Sequence, residues 1–530
     1  MKKIIIYAAF LVALLQVGCT KNFDEINTNP RAVTGEFFDP NYLLSQAQWE
    51  HSNTGYTQLL FQSMWPQVLA STFDYYGNGD KYTRSTNTVN YQNNLWDEEY
   101  RTASLIYEMQ NLTRDKEQFT NLYNIGTLMK VLIMQRLTDT YGDIPYSEAL
   151  QAKEGIVQPK YDRQQDIYMM MLSEVETAIN NLDATKPLPT ADLFYGGNIA
   201  QWRKFGFSLM LRLAMRMTKV DAGTAKIWAE KAAAGGTFTS IADNVKVKGD
   251  NGTGFGNATT GALRTASDFQ YVRWSKTFID YLKSNNDPRI PAIAEVSQPG
   301  LAANLNQDLA GNTNPAIQIG LPNGYDLNGG ATDISNHPNY PGGTGTGNDV
   351  AVLGAYSRPR TAVYLDRSGV NFIFTYAETE FLLAEAKVRG WNVGATTAAE
   401  HYANGVRAAM KSLEQFNPAA AISDAAVNTY LAANPLDVST TANSIKDINE
   451  QYWVATGSMF NFIEAWTNWR RSGFPALTPI NYIGNFSNGT IPRRIPYHAG
   501  ESAQNPSNYE EAVSQLTGGD VFTSRVWWDM

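Results

Sequence analysis

One cysteine and four histidines in 530 residues leave little room for metal or thiol chemistry. A lone thiol closes no internal disulfide and builds no Cys-based zinc site, and His51, His337, His401 and His498 stand far apart with no HExxH or paired-ligand spacing. No metal and no cofactor is expected. Basic residues are also in deficit, 42 Lys and Arg against 51 Asp and Glu for a formal net charge of −9, which argues against a phosphate-binding face and hence against nucleic acid as a partner. Catalytic motifs are missing too: there is no GxSxG elbow and no Walker loop, and the glycines of GGTGTG at 342–347 do not open a helix. Glu378, Glu380 and Glu385 are better explained by solvated or capping roles than as an acid pair. Asp139 and Asp143 flank a Gly-Asp turn whose side-chain to backbone hydrogen bonds account for them. The chain is not expected to be an enzyme. With 18% charged and 12% aromatic residues, and no collagen-like period in its 41 Gly, it reads as ordered and globular.

Long apolar runs are absent except at the start. The stretch 4–17 follows Met1-Lys2-Lys3 and is too short for a bilayer span of ~20 residues, so residues 1–18 read as a signal peptide. Cys19 comes next, in LLQVGCT, which resembles the lipobox of bacterial lipoproteins, although Gln16 stands where an apolar residue is usual. Acylation of Cys19 would make lipid the membrane attachment. The other reading is a secreted protein with one free thiol.

What is abundant is helical periodicity. Leu122, Ile125, Met129, Leu132, Ile133 and Leu137 mark one face; Ile167, Met170, Met171, Val175 and Ala178 mark another, with Asp162 a possible cap. A third helix starts at the cap Asn198 and runs through Trp202, Phe205, Leu209, Leu213 and Met217, with Arg203, Arg212 and Arg216 on another face. Further helices read at 224–234, 271–284, 375–389, 397–413, 445–456 and 459–470. Many come in pairs, with Ala384, Ala386, Ala403 and Ala408 for close packing, which suggests degenerate tetratricopeptide-like repeats without a clean period. A chain of this length exceeds the ~250 to 300 residues of one core, which implies two lobes or a helical array. The expected fold is mainly α, a tetratricopeptide-like helix-pair scaffold with a loop-rich ligand-binding lobe. The scaffold is placed mainly at 95–235 and 371–415 and the lobe mainly at 236–370 and 415–530, all within one unit, 19–530. Residues 243–262 and 298–350, rich in Gly, Asn, Thr and Pro, read as excursions near a binding surface.

Aromatics are the other abundance: 12 Trp, 28 Tyr and 23 Phe. Their flat faces with polar edges suit sugar rings and also peptide side chains. Phe73, Tyr75, Tyr76 and Tyr82 lie among Asn, Thr, Gly and Asp in a segment with little helical period, and they are candidate ligand platforms; so are Tyr325 and Tyr340 of the second long loop. Trp96 reads as core, as do Trp202, Trp228, Trp453, Trp466 and Trp469.

Several segments, in order from Cys19 to Asp529, carry a family likeness: CTKNFDEINTNP, QRLTDTYGDIPYSEAL, WRKFGFSLMLRLAMR, NDPRI, FTYAETEFLLAEAKVRGW, FIEAWTNWRRSGFPAL, IPRRIPYHAGES and the terminal RVWWD. Together they resemble the SusD/RagB nutrient-binding outer-membrane lipoproteins of Bacteroidetes, in the branch that carries TDTYGDIPYSEA. The resemblance implies four tetratricopeptide-like helix pairs bearing a loop-rich lobe. It further implies a cell-surface protein, lipid-anchored in the outer membrane, that binds oligomeric nutrients and docks on a SusC-type TonB-dependent transporter as a lid. The matching motifs belong to the scaffold, with Arg136 to Tyr146 at a helix exit and its turn, so they carry fold and partner further than ligand. Oligosaccharides are the first expectation for the ligand and oligopeptides the second; a structural or adhesin lipoprotein is the remaining alternative.

Overall fold

Thirteen helices of eight residues or more organise the described part of the chain: α1 (Asn41–Ser52), α2 (Thr88–Thr113), α3 (Thr120–Tyr141), α4 (Gln164–Asn181), α5 (Ile199–Arg216), α6 (Ala222–Gly235), α7 (Lys276–Ser284), α8 (Tyr376–Val388), α9 (Ala398–Ser412), α10 (Asp424–Ala433), α11 (Thr441–Ser458), α12 (Phe462–Ser472) and α13 (Pro506–Ser514). The computed structural model describes residues 38–84, 88–297, 304–341 and 354–530. Asn41–Met530 form one compact unit. The expected signal peptide, 1–18, and Cys19 lie outside the described residues.

Four successive pairs pack side by side: α2 with α3, α4 with α5, α8 with α9 and α11 with α12. This is the tetratricopeptide-like arrangement expected. Glycine makes three of the crossings close. A methyl group on Gly126 of α3 would lie 2.4 Å from Met109 of α2, one on Gly206 of α5 would lie 2.5 Å from Ile179 of α4, and one on Gly405 of α9 would lie 2.6 Å from the Phe381 ring of α8. Each of these pairs thus seats a large side chain in the gap its neighbour leaves. Caps fix several helix starts. Asn198 accepts from Gln201 N at 3.2 Å, as expected, and Thr375 and Thr397 form capping boxes with Glu378 and Glu400. Asp162, by contrast, does not cap α4. It accepts from the backbone of Tyr146 and Ser147 and closes the preceding turn, while Asp143 reaches across to Gln164 N at 2.8 Å.

A buried ionic network ties the four pairs together. Arg216 of α5, fully buried, donates to Glu464 of α12 at 2.6 and 2.5 Å and approaches Asp139 of α3 at 3.4 Å. Tyr452 of α11 donates to Glu464 at 2.7 Å and to Glu378 of α8 at 3.2 Å, and Arg212 of α5 pairs with Glu378 at 2.8 Å. Trp528, near the C-terminus, donates to Asp139 at 2.8 Å, and Tyr168 of α4 donates to it as well. Asp139 is therefore a core acceptor, not a turn residue. Glu378, Glu380 and Glu385 are all buried, paired with Arg212, His401 and Arg471, so the solvated role is overturned; capping holds for Glu378 alone. Side chains on one helix face that read as polar in isolation become interior once a second pair covers them.

Strands are few and short. β1 (Leu69–Ser71) pairs antiparallel with β3 (Val272–Trp274), β2 (Val245–Lys248) with β6 (Val370–Phe374), and β4 (Ala294–Glu295) with β5 (Arg358–Pro359). Two expectations change here. The helix read over 271–284 begins only at Lys276, because Val272–Trp274 is a strand completely buried against β1. Helices α11 and α12 fall inside the stretch assigned to the lobe at 415–530, yet they form the fourth pair, and α11 packs on α8. Trp96, Trp202, Trp453, Trp466 and Trp469 are core, whereas Trp228 is half-buried under Lys231.

Candidate ligand-binding surface

The two sequence segments that carry the candidate platforms are 69–82 and 318–341, and a buried carboxylate staples them together. Asp80, with no exposure, accepts from Ser71 N at 3.2 Å within its own segment, and from Asn323 Nδ2 at 2.6 Å and Gly324 N at 2.9 Å in the other. Burial raises its pKa, and the donors oppose that rise. Asn323 also donates to Leu69 O at 2.9 Å, and Asn328 donates to Asp74 at 3.2 Å. The second segment is itself turned by Asp326, which accepts from Asn328 N and Thr332 Oγ1, and by Asp333, which accepts from Gly329 N and Ser335 N.

On this frame the aromatic side chains gather. The Phe73 ring stacks on Tyr75 at 5.9 Å and on Tyr271 at 5.8 Å. Tyr75 meets Tyr56 and Tyr91 edge-on, at 5.6 and 5.9 Å, and its hydroxyl bonds that of Tyr91. Tyr271 continues the surface toward the second segment, packing with Tyr325 and Tyr340 against Ala70, Leu321, Ile334 and Tyr356. Tyr56, Phe73, Tyr75, Tyr91, Tyr271, Tyr325 and Tyr340 are all half-buried, which leaves each some surface in solvent.

Tyr76 and Tyr82 do not join them. Both have no exposure, so neither presents a ring as a platform. The Tyr76 hydroxyl donates inward to Asp268. Tyr82 sits in a left-handed turn (φ 55°), and its carbonyl accepts from Phe486 N at 2.7 Å, which ties the 477–487 segment to this frame. The acidic residue beneath the surface is Asp268, whose pKa is raised by burial and which accepts from Tyr76 and, at 3.0 Å, from Tyr56. Burial in turn pushes the Tyr56 phenol up to about 12, which keeps it a donor.

The sequence reading did not single out Tyr56, Tyr91 or Tyr271 as platforms. Tyr271 was hidden in the stretch read as helix, where a strand in fact begins one residue later. Tyr56 follows Gly55, whose φ of 52° breaks the chain direction just after α1; the Thr-Gly-Tyr break was the available signal. The 243–262 excursion is ordered as expected, and it supplies β2 and a short helix.

Away from this surface, a groove of about 550 Å³ between α2, α3 and α4 is lined by Tyr107, Tyr123 and Tyr146. Glu174 there is already engaged by Lys130 at 2.8 Å and Tyr146 at 2.9 Å. Among the described residues no group of three or more His, Cys, Asp and Glu is placed to hold a metal ion, and no helix is long and apolar enough to cross a membrane.

Known proteins place this architecture. Residues 32–498 match the model of a SusD-like family described as starch-binding and associating with the outer membrane. A solved chitin-binding protein is 30% identical with a TM-score of 0.78, and the match covers 93% of this chain and 100% of that one. A SusD-like protein of Bacteroidetes AC2a is 25% identical with a TM-score of 0.80, over 93% and 100% of the two chains. A chitin-binding SusD homolog from Flavobacterium johnsoniae, at 24% identity and a TM-score of 0.73 over 93% and 98%, shares the fold. Among curated proteins no match is found. With four helix pairs, a loop-built aromatic surface and a family match over most of its length, the chain belongs to the SusD-like family.

Proposed function

We propose that this protein binds oligosaccharides at the cell surface through the surface formed by Tyr56, Phe73, Tyr75, Tyr91, Tyr271, Tyr325 and Tyr340, and passes them to a SusC-type TonB-dependent transporter. The observation that carries this reading is the gathering of rings from distant segments onto one partly exposed surface. Stacked rings offer apolar faces to the C–H faces of sugars, while phenol hydroxyls at their edges partner sugar hydroxyls. The family description and the chitin-binding relative support a glycan. The protein binds its ligand without transforming it. It is held in the outer membrane by acylated Cys19, so that Cys19→Ala moves it from membrane to soluble fractions.

The test is calorimetric titration of the purified protein with chitin and starch oligomers, alongside oligopeptides of similar length. Saturable heat with a glycan, lost when Phe73 and Tyr75 are truncated, supports the reading. Heat with peptides alone assigns the surface to peptides, and no heat with any of them removes the surface as a nutrient site. Mild detergent extraction that recovers a β-barrel protein in near-equal amount supports the transporter, and recovery of the lipoprotein alone counts against it.

A further inference from the structure

The aromatic surface is acidic at its rim. Asp74, between Phe73 and Tyr75 in the chain, is exposed, and its partner Asn328 is a neutral donor at 3.2 Å. Among the described residues no lysine or arginine pairs with it. The neighbouring Lys81 is 2% exposed and lies 3.5 Å from Asp80, so it is committed to the interior. His337, edge-on to Tyr325 at 5.3 Å, has its pKa lowered by burial and by Lys276 and adds little positive charge.

Elsewhere in the molecule, half-buried and buried rings alike are covered by the protein's own cations: Arg470 lies 3.6 Å over Trp466, Arg212 lies 3.5 Å over Phe374 and Lys231 lies 4.4 Å over Trp228. Among the described residues no lysine or arginine sits over Phe73, Tyr75 or Tyr271. A carboxylate without a cation, beside partly exposed rings that carry none, attracts positive charge and repels negative charge. A sugar bound at Phe73 and Tyr75 brings its substituents near Asp74, which lies between them in the chain and is exposed.

We propose that this surface selects glycans bearing primary ammonium groups, such as glucosamine units, over neutral glycans, and rejects polyanionic ones. The inference rests on the aromatic surface being the binding site, and the experiment separates the two. The full chain is titrated at low ionic strength with three hexamers, of glucosamine at a pH where its amines are protonated, of N-acetylglucosamine, and of galacturonic acid. The glucosamine hexamer binds about fivefold more tightly than the N-acetylated one, the scale of one exposed ion pair. The galacturonic acid hexamer gives no saturable heat, and added salt narrows the gap between the other two. Asp74→Asn brings the ratio of those two affinities toward one, Asp74→Glu retains it, and melting curves confirm that both variants are folded. Equal or tighter binding of the N-acetylated hexamer, or a ratio unchanged by Asp74→Asn, overturns the selectivity while leaving the surface in place. If no hexamer binds, or if Phe73→Ala leaves every affinity untouched, the surface itself is wrong and the selectivity falls with it.

Discussion

Tyr75 and Tyr76 are adjacent in the chain and opposite in role. Tyr75 is half-buried among rings, whereas Tyr76 has no exposure and bonds Asp268. Truncating Phe73 and Tyr75 together to alanine should weaken oligosaccharide binding by about 1 to 3 kcal/mol, as hot-spot aromatics do. Tyr76→Ala should instead cost folding stability, about 3 to 5 kcal/mol, as a buried aromatic leaves a cavity and Asp268 loses a donor. Titration and denaturant unfolding of the same two variants check both halves. The sequence made the segment legible, since Asn, Thr, Gly and Asp around the aromatics disfavour a helix. It did not separate the two tyrosines, because a short 3₁₀ turn over Asp74–Tyr76 follows neither a helix nor a strand period, so which ring points inward is decided by the distant Asp268. A second residue-scale prediction concerns Glu98, which burial pushes up to about 7 from 4.5, opposed by a hydrogen bond from Thr57 at 3.0 Å. A carboxyl whose folded pKa is raised contributes stability that is fully present below its unfolded pKa and is lost as pH rises through the folded value. Stability should therefore fall between pH 4.5 and about 7 by more in the native protein than in Glu98→Gln, as measured by urea unfolding across that range.

At the scale of the element, the helices were the most readable part of the sequence because each carries its own apolar stripe. Their partners were readable only in part. Gly405 looks unremarkable in YANGVRAAM, yet the Phe381 ring occupies the space beside it. Alanine there gains about 1 kcal/mol of helix propensity against a clash, and valine adds further methyls while giving up most of that gain. Gly405→Val should destabilise by about 1 to 3 kcal/mol through overpacking of the α8 and α9 crossing, read as a lowered urea midpoint with unchanged slope. An unaltered midpoint would show that Phe381 moves aside freely. The short strands were not readable for the opposite reason. Two or three residues such as Val272–Trp274 give no alternation to detect, and the ribbon exists because β1, far earlier in the chain, supplies the other edge.

For the whole molecule, the buried charges explain why four weakly similar helix pairs form one body. Removing a single partner leaves opposite charges stranded in the interior, so Arg216→Ala should cost about 3 to 5 kcal/mol in chemical denaturation, more than any surface ion pair. A loss below about 1 kcal/mol would mean that water reaches Glu464 and Asp139 in the variant. Burial pushes Glu378 up to about 7, while Glu464, buried too, is held low by Arg216 and Arg212. None of these partnerships was legible, since each joins residues far apart along the chain and a charged residue on a helix reads as solvated until another pair covers it.

The contact between Trp528 and Asp139 spans 389 positions and is buried. A chain that emerges from its N-terminus first cannot make it until residue 528 has arrived, and closing so large a loop is slow because the entropy cost comes before the contact is gained. The pairing that completes the interior around Asp139 is thus among the last that synthesis makes possible, and Trp528 acts as its latch.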